Sequence, residues 1–301
     1  MKDKDGNIKD DTGWFPNLIT NQGMDWIGSA PPNFNVSFGQ QYIGTHCGVG
    51  TGNTTPAFTD TALTSFLAMY PAIAGNNVEG FSTISYVTGP PDYWSGIRTY
   101  NFAIGAVVGN IAEVGIGNTA SGNTQPQLFT HALILVGGSP GTITVTSSDA
   151  LVVYHEMRLY LDLTTNSYSF NISGVSYTGN YLRALSTSIP NFALNVYYDI
   201  NYGVNGYFKG YNGSVGLVTG QPSGSSQQTA GQTTIGSYTS GTYTLSMSCI
   251  MPLSQMNFSG GISAFMITTN HGSFQFSVSP AIPKTSLYTL TMNWSVSWAR
   301  Y

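Results

Sequence analysis

The chain has 301 residues, a formal net charge of −4 and only 7% charged residues, where soluble globular proteins carry roughly a quarter. No Lys/Arg cluster occurs, which excludes nucleic acid as a main partner, and no run of 18 apolar residues offers a membrane-spanning helix. Aliphatic, aromatic and sulfur side chains make up 41%, enough for real cores.

Charge is also badly distributed. Residues 1–12 open with MKDKDGNIKDD, which holds 7 of the 22 formal charges and predicts a charged N-terminal arm. The remaining body must clothe its surface with Ser, Thr, Asn, Gln, Gly and Tyr. Such a surface suits a protein packed against neighbours or touching sugars, since freely diffusing enzymes use charge for solubility. No apolar leader segment is visible at the N-terminus. The six Asn-x-Ser/Thr sequons (Asn35, Asn53, Asn171, Asn212, Asn257, Asn293) are expected by chance in so Ser/Thr/Asn-rich a chain.

Two helices are expected: a short one over Leu18–Ile27, and a second over Asp60–Tyr70, with Asp60 as N-cap and Pro71 as stop. Otherwise the period is two. Strands are expected at Tyr42–Gly48, Ser82–Val87, Tyr100–Val108, Gln127–Val136, Thr142–Thr146, Leu151–Leu161 and Tyr168–Ser173. Further on they are expected at Phe192–Ile200, Gly206–Lys209, Val215–Val218, Tyr243–Ile250, Gly261–Thr268 and Ser273–Val278. The last, within Ser286–Tyr301, alternates Leu290, Met292, Trp294, Val296 and Trp298 with small polar residues. Residues 220–241, rich in Gly, Ser, Thr and Gln, read as a long exposed loop or flexible connection.

A weak repeat links LVVYHEMRLY (151–160) to LTMNWSVSWARY (290–301). Each follows a Thr-rich stretch and, before it, a Phe-led strand, LFTHALILV or SFQFSVSP. The predicted fold is all-β: two antiparallel β-sandwich-like modules, residues 13–161 and 162–301, with one short helix in the first.

Nothing in the sequence builds a catalytic or metal site. His46, His131, His155 and His271 lie in no zinc-binding spacing, and His46 and Cys47, adjacent on a strand, point to opposite faces. Cys47 and Cys249 are expected as buried free thiols. The run Gly48-Val49-Gly50-Thr51-Gly52-Asn53 lacks the Gly-Lys-Ser/Thr of a phosphate loop, so it marks a bulge or close backbone approach. Beyond residue 11 the acids are Asp25, Asp60, Asp92, Asp149, Asp162, Asp199, Glu79, Glu113 and Glu156. Glu113 stands out between two strand-like runs, and the expectation is a buried carboxylate paired with Arg98 or Arg158. No catalytic, cofactor-binding or metal-binding residue is assigned.

Several stretches resemble a recurrent type of tailed-bacteriophage virion protein, of the tail, neck or collar fibre kind. They are Gly13–Gly23 (GWFPNLITNQG), Gly48–Gly52 with Pro56 and Thr59–Leu63, Gly109-Asn110 with Glu113–Gly117, Leu128–Ile134 leading to Thr142–Thr146, and Leu151–Tyr160. In the second half, Pro280–Thr285 and Trp298–Tyr301 are similar. The resemblance implies a non-enzymatic structural protein of the virion, made in the host cytoplasm and without cofactor. Implied partners are copies of itself, with a trimer favoured, and other virion proteins of the tail, neck or head. The alternative expectation is a tip protein that binds a receptor or host-surface glycan, which 19 Tyr and 5 Trp would suit.

Overall fold

The computed structural model describes residues 1–29, 43–70, 83–119, 124–184, 207–218, 220–229, 233–269 and 272–301. The expected strand at Phe192–Ile200 lies outside the described residues. Half of the described residues are strand (50%) and 3% are helical, so the fold is all-β with several antiparallel sheets. Among the described residues no helix is long and apolar enough to cross a membrane.

In chain order the first elements are β1 (Leu18–Ile19), α1 (Asn21–Gly28), β2 (His46–Gly50), β3 (Phe66–Met69), β4 (Thr83–Val87), β5 (Tyr93–Phe102) and β6 (Gly109–Ile111). They continue with β7 (Glu113–Asn118), β8 (Gln127–Leu133), β9 (Leu135–Val136), β10 (Ser139–Pro140), β11 (Ile143–Val145) and β12 (Leu151–Tyr160). A five-stranded sheet has the order β1-β8-β7-β2-β3, a three-stranded sheet the order β12-β5-β4, and β6/β11 and β9/β10 form two small ladders. The core between them takes Cys47 and Val49 from β2, Ile116 from β7, Tyr100 and Phe102 from β5, and Leu151 from β12.

The second half contains β13 (Asn166–Ile172), β14 (Val175–Ala184), β15 (Tyr207–Tyr211), β16 (Ser226–Gln228), β17 (Thr233–Ile235), β18 (Thr244–Met251), β19 (Ile262–Thr269), β20 (Gly272–Ile282) and β21 (Leu290–Ser297). Its sheets run β13-β14-β20-β19-β15-β16 and β17-β18-β21. Tyr177, Phe208, Phe265 and Val278 of the large sheet meet Cys249, Met251, Leu290 and Trp294 of the small one. On β21 the alternation is as the sequence predicts: Leu290, Met292, Trp294 and Val296 are buried or half-buried, and the residues between are exposed.

The two halves share one strand order. Reading β1, β2, β3, β7 and β8 against β14, β15, β16, β19 and β20, the sheet β1-β8-β7-β2-β3 becomes β14-β20-β19-β15-β16. Likewise β12-β5-β4 becomes β21-β18-β17. The Phe-led strands of the sequence repeat, β8 and β20, and its closing strands, β12 and β21, fall at equivalent places. By compactness the chain divides into residues 1–84, 96–157 and 299–301 in one unit, and 85–95 with 158–298 in the other. The cut after Met157 lies close to the expected boundary, but short segments are exchanged between the halves.

Four expectations need correction. Residues 60–70 are not a helix: the segment is a loop that ends in β3. Helical propensity is overridden there because the amides of Thr64 and Ser65 are taken by Glu113 and the next residues pair with β2. Among the described residues the one helix is α1, which starts later than expected because the Thr20 hydroxyl caps the Gly23 N–H at 2.9 Å while Leu18 and Ile19 pair with β8. Residues 220–241 are not a bare loop, since they contain β16 and β17, and Val215–Val218 is loop rather than strand.

The charged N-terminal residues fold back onto the first unit. Lys2 bridges to Ala150 and Ile8, and Asp3 closes a turn by accepting from the Asp5 and Asn7 amides. Lys9 donates to Asp149 at 3.0 Å, and Asp149 is 2% exposed. The Thr146 hydroxyl and amide, followed by Lys9, hold the Asp149 carboxyl down at about 2. A depressed carboxylate pKa contributes stability that is complete above its ordinary value and is lost as pH falls through the folded one. Hydrogen exchange should therefore find the Lys2 and Ala150 amides protected at pH 4 and opening towards pH 2. Asp149→Asn should open them at every pH.

Candidate functional site

The most concentrated polar chemistry lies inside the first unit, where β7 begins. Glu113 is fully buried. Its Oε1 accepts the backbone N–H of Ser65 at 2.7 Å and of Gly52 at 3.1 Å; its Oε2 accepts the N–H of Thr64 at 3.1 Å. His131 on β8, 1% exposed, reaches the same Oε2 with Nε2 at 3.0 Å and Asp60 Oδ2 with Nδ1 at 2.7 Å. Asp60 Oδ2 also accepts the Ala57 N–H at 2.8 Å. Each ring nitrogen thus lies within hydrogen-bond distance of a carboxyl group.

The glycines before the loop make room for this carboxylate. A Cβ on Gly50 or on Gly52 would lie 2.5 Å from Glu113 Oε1. The Gly-rich run is thus a close backbone approach, as the sequence suggests, and what approaches is a side chain of the same protein.

Glu113 is not paired with Arg98 or Arg158. Arg98, 4% exposed, turns its Nη1 to the carbonyls of Ile43 and Gly44, and Arg158 lies 5.0 Å over the Tyr93 ring. The partners were missed because three of the four donors are backbone amides, which leave no mark on a sequence. The fourth, His131, belongs to a β-strand and has no characteristic spacing to Glu113. Adjacent pairing of β7 and β8, with His131 opposite Gly115, would have been the only usable hint.

The other candidates stay apart. His46 contacts Thr45 and Thr119 hydroxyls, and burial pushes its pKa down. Cys47 and Cys249 are buried free thiols. His155 is buried, and desolvation followed by the charge of Arg98 pushes it down to about 3, so it stays neutral. Among the described residues no group of three or more His, Cys, Asp or Glu could hold a metal ion. No protein family, curated protein or solved structure was found to match the chain.

Chemically the Glu113–His131–Asp60 chain is a strut. A general base needs a free ring nitrogen within reach of substrate, and both nitrogens of His131 are occupied at 1% exposure. Its bonds tie the loop of residues 51–65 to the five-stranded sheet. Glu113→Gln should lower unfolding stability by about 3 kcal/mol or more, because the amide NH₂ must face a backbone N–H at either oxygen position. Asp60→Asn, at the half-exposed end, should cost about 1 kcal/mol. Denaturant titration of both variants checks the order.

Proposed function

We propose that this chain is a non-enzymatic structural component of a tailed-phage virion, a subunit of a tail, neck or collar appendage that assembles with copies of itself through β-rich surfaces. One observation carries the reading. The best acid–base constellation among the described residues is sealed and consumed in holding a loop, while the outward rows of strands such as β21 are Thr, Asn and Ser. A surface of this kind favours contact with neighbours over free diffusion.

The resemblance supports the same reading from another side. Gly48–Gly52, Thr59–Leu63, Glu113–Gly117 and Leu128–Ile134, the stretches that carry it, supply the carboxylate, imidazole, glycines and loop of the strut. They are scaffolding parts. Particles banded from the phage or prophage that encodes the chain should contain it as a repeated subunit by quantitative mass spectrometry, with antibody label at one site. Its absence from particles, or a measurable hydrolase activity lost in a point variant, would refute the proposal.

A second reading, a tip that binds a host glycan, is favoured by one feature. Trp14 and Tyr154 are 63% and 53% exposed with ring centroids 6.5 Å apart, a pair of faces on which sugar rings could stack. Under that reading Trp14→Ala should abolish binding on a glycan array without changing the circular dichroism spectrum.

A further inference from the structure

The second unit repeats the loop tie with different chemistry. Across the large sheet of the first unit, Leu18, His131, Gly115, Gly48 and Met69 stand opposite one another in turn. Across the second, the equivalent row is Leu182, Gln275, Met266, Lys209 and Gln228. Gln275 therefore occupies the place of His131. Ala264, opposite the last residue of β15, occupies the place of Glu113, opposite the last residue of β2.

Gln275 is fully buried. Its Oε1 accepts the Gly216 N–H at 2.8 Å, and its Nε2 donates to the carbonyls of Leu217 at 3.0 Å and Gly220 at 3.1 Å. Those residues lie in the loop from β15 to β16, just as residues 51–65 form the loop from β2 to β3. Both halves thus hold the equivalent loop by a polar side chain sent out from the same strand position. The chemistry differs, an imidazole ring and carboxyl groups in one and a single amide in the other, so the position is common to both while the residue is not.

A buried polar group is costly unless every bond is made, and an apolar filler would serve the core as well. What the tie provides is a fixed loop. A fixed loop loses little entropy when something binds to it. Residues 51–65 carry one charge, Asp60, which is turned onto His131, and residues 212–225 carry none. Each loop carries a large apolar side chain at its surface: Leu217 is 80% exposed, and Phe58 is 50% exposed with the Arg300 guanidinium 4.4 Å over its ring.

We propose that residues 51–65, and 212–218 with 220–225, are a duplicated pair of contact loops through which copies of this chain touch one another. The partner is a second copy because loops almost without charge let molecules of like net charge approach, and because an aliphatic tip such as Leu217 fits a protein surface better than a sugar ring. The inference rests on the building-block reading above and names its surface.

The test is sedimentation velocity and native mass spectrometry of the full chain at micromolar concentration. Wild type should self-associate. Thr54→Arg with Leu217→Arg, both exposed positions, should keep the β spectrum and weaken association at least tenfold. Gln275→Ala, a buried change away from any contact, should speed exchange of the Gly216 amide and also weaken association. A monomeric wild type overturns the inference, and so does an oligomer indifferent to the double arginine variant. Because occurrence in purified particles is measured separately, the loops can fail while the virion reading stands, and the reverse.

Discussion

Burying a carboxylate in a protein interior costs several kcal/mol unless its lone pairs are all met, and the first unit is arranged around meeting those of Glu113. Three backbone amides and the His131 ring do so. Much else follows from that one group. Positions 50 and 52 must lack a Cβ, the chain after Gly52 must return so that Thr64 and Ser65 point inward, and β3 must begin immediately after them. The returning loop in turn meets the helix start, where the Asn21 N–H donates to the Phe58 carbonyl. Arg300 then donates to Ile19 and Asn21 and lies 4.4 Å over the Phe58 ring. Removing the carboxylate would release a loop and also the seat of the helix and of the chain end.

The duplicated strand order shows which parts of this arrangement belong to the architecture. Two sheets with the order and pairing described here need an inward apolar row on each strand, and both halves have one. They do not need Glu113, since Ala264 stands in its place in the second half. The additions are local as well: β6 with β11 and the β9/β10 hairpin in the first half, and β13 at the sheet edge in the second. What both halves keep, beyond the sheets, is a held loop between the second and third strands of the repeat.

Much of the architecture was legible in the chain because half-buried strands write their burial as alternation. Leu290 to Val296 and Leu245 to Cys249 on β18 each alternate apolar with small or polar residues, and the structure buries or half-buries the apolar set. β14 was not legible, because Gly179 and Asn180 interrupt a strand whose inward contacts are spread over Tyr177, Tyr181 and Arg183. The Asp60–Tyr70 segment shows the opposite failure. Its helical spacing is real, but a single buried carboxylate claims the backbone donors a helix would need, and local preference cannot compete with that. The site itself was half legible: Glu113 could be singled out, but its partners are amides from a loop about fifty residues away.

The scarcity of charge takes on a further meaning once burial is known. Arg98, Glu113, Asp149, Arg183 and Lys284 are all buried, although the body beyond residue 11 has few charges to spare. Each is spent on an internal tie. Lys284, for instance, donates to the Pro252 carbonyl at 2.8 Å and to Asn257 at 3.0 Å, and Arg183 lies 5.0 Å over Phe274. The surface is consequently poorer in charge than the composition alone implies. Strands with outward rows of Thr, Asn and Ser have none of the lysines by which natural sheets discourage edge-to-edge association, and β21, at the end of its sheet, is such a strand. A body that uses a third of its few charges to fix its interior leaves an outside poor in charge beyond the N-terminal segment.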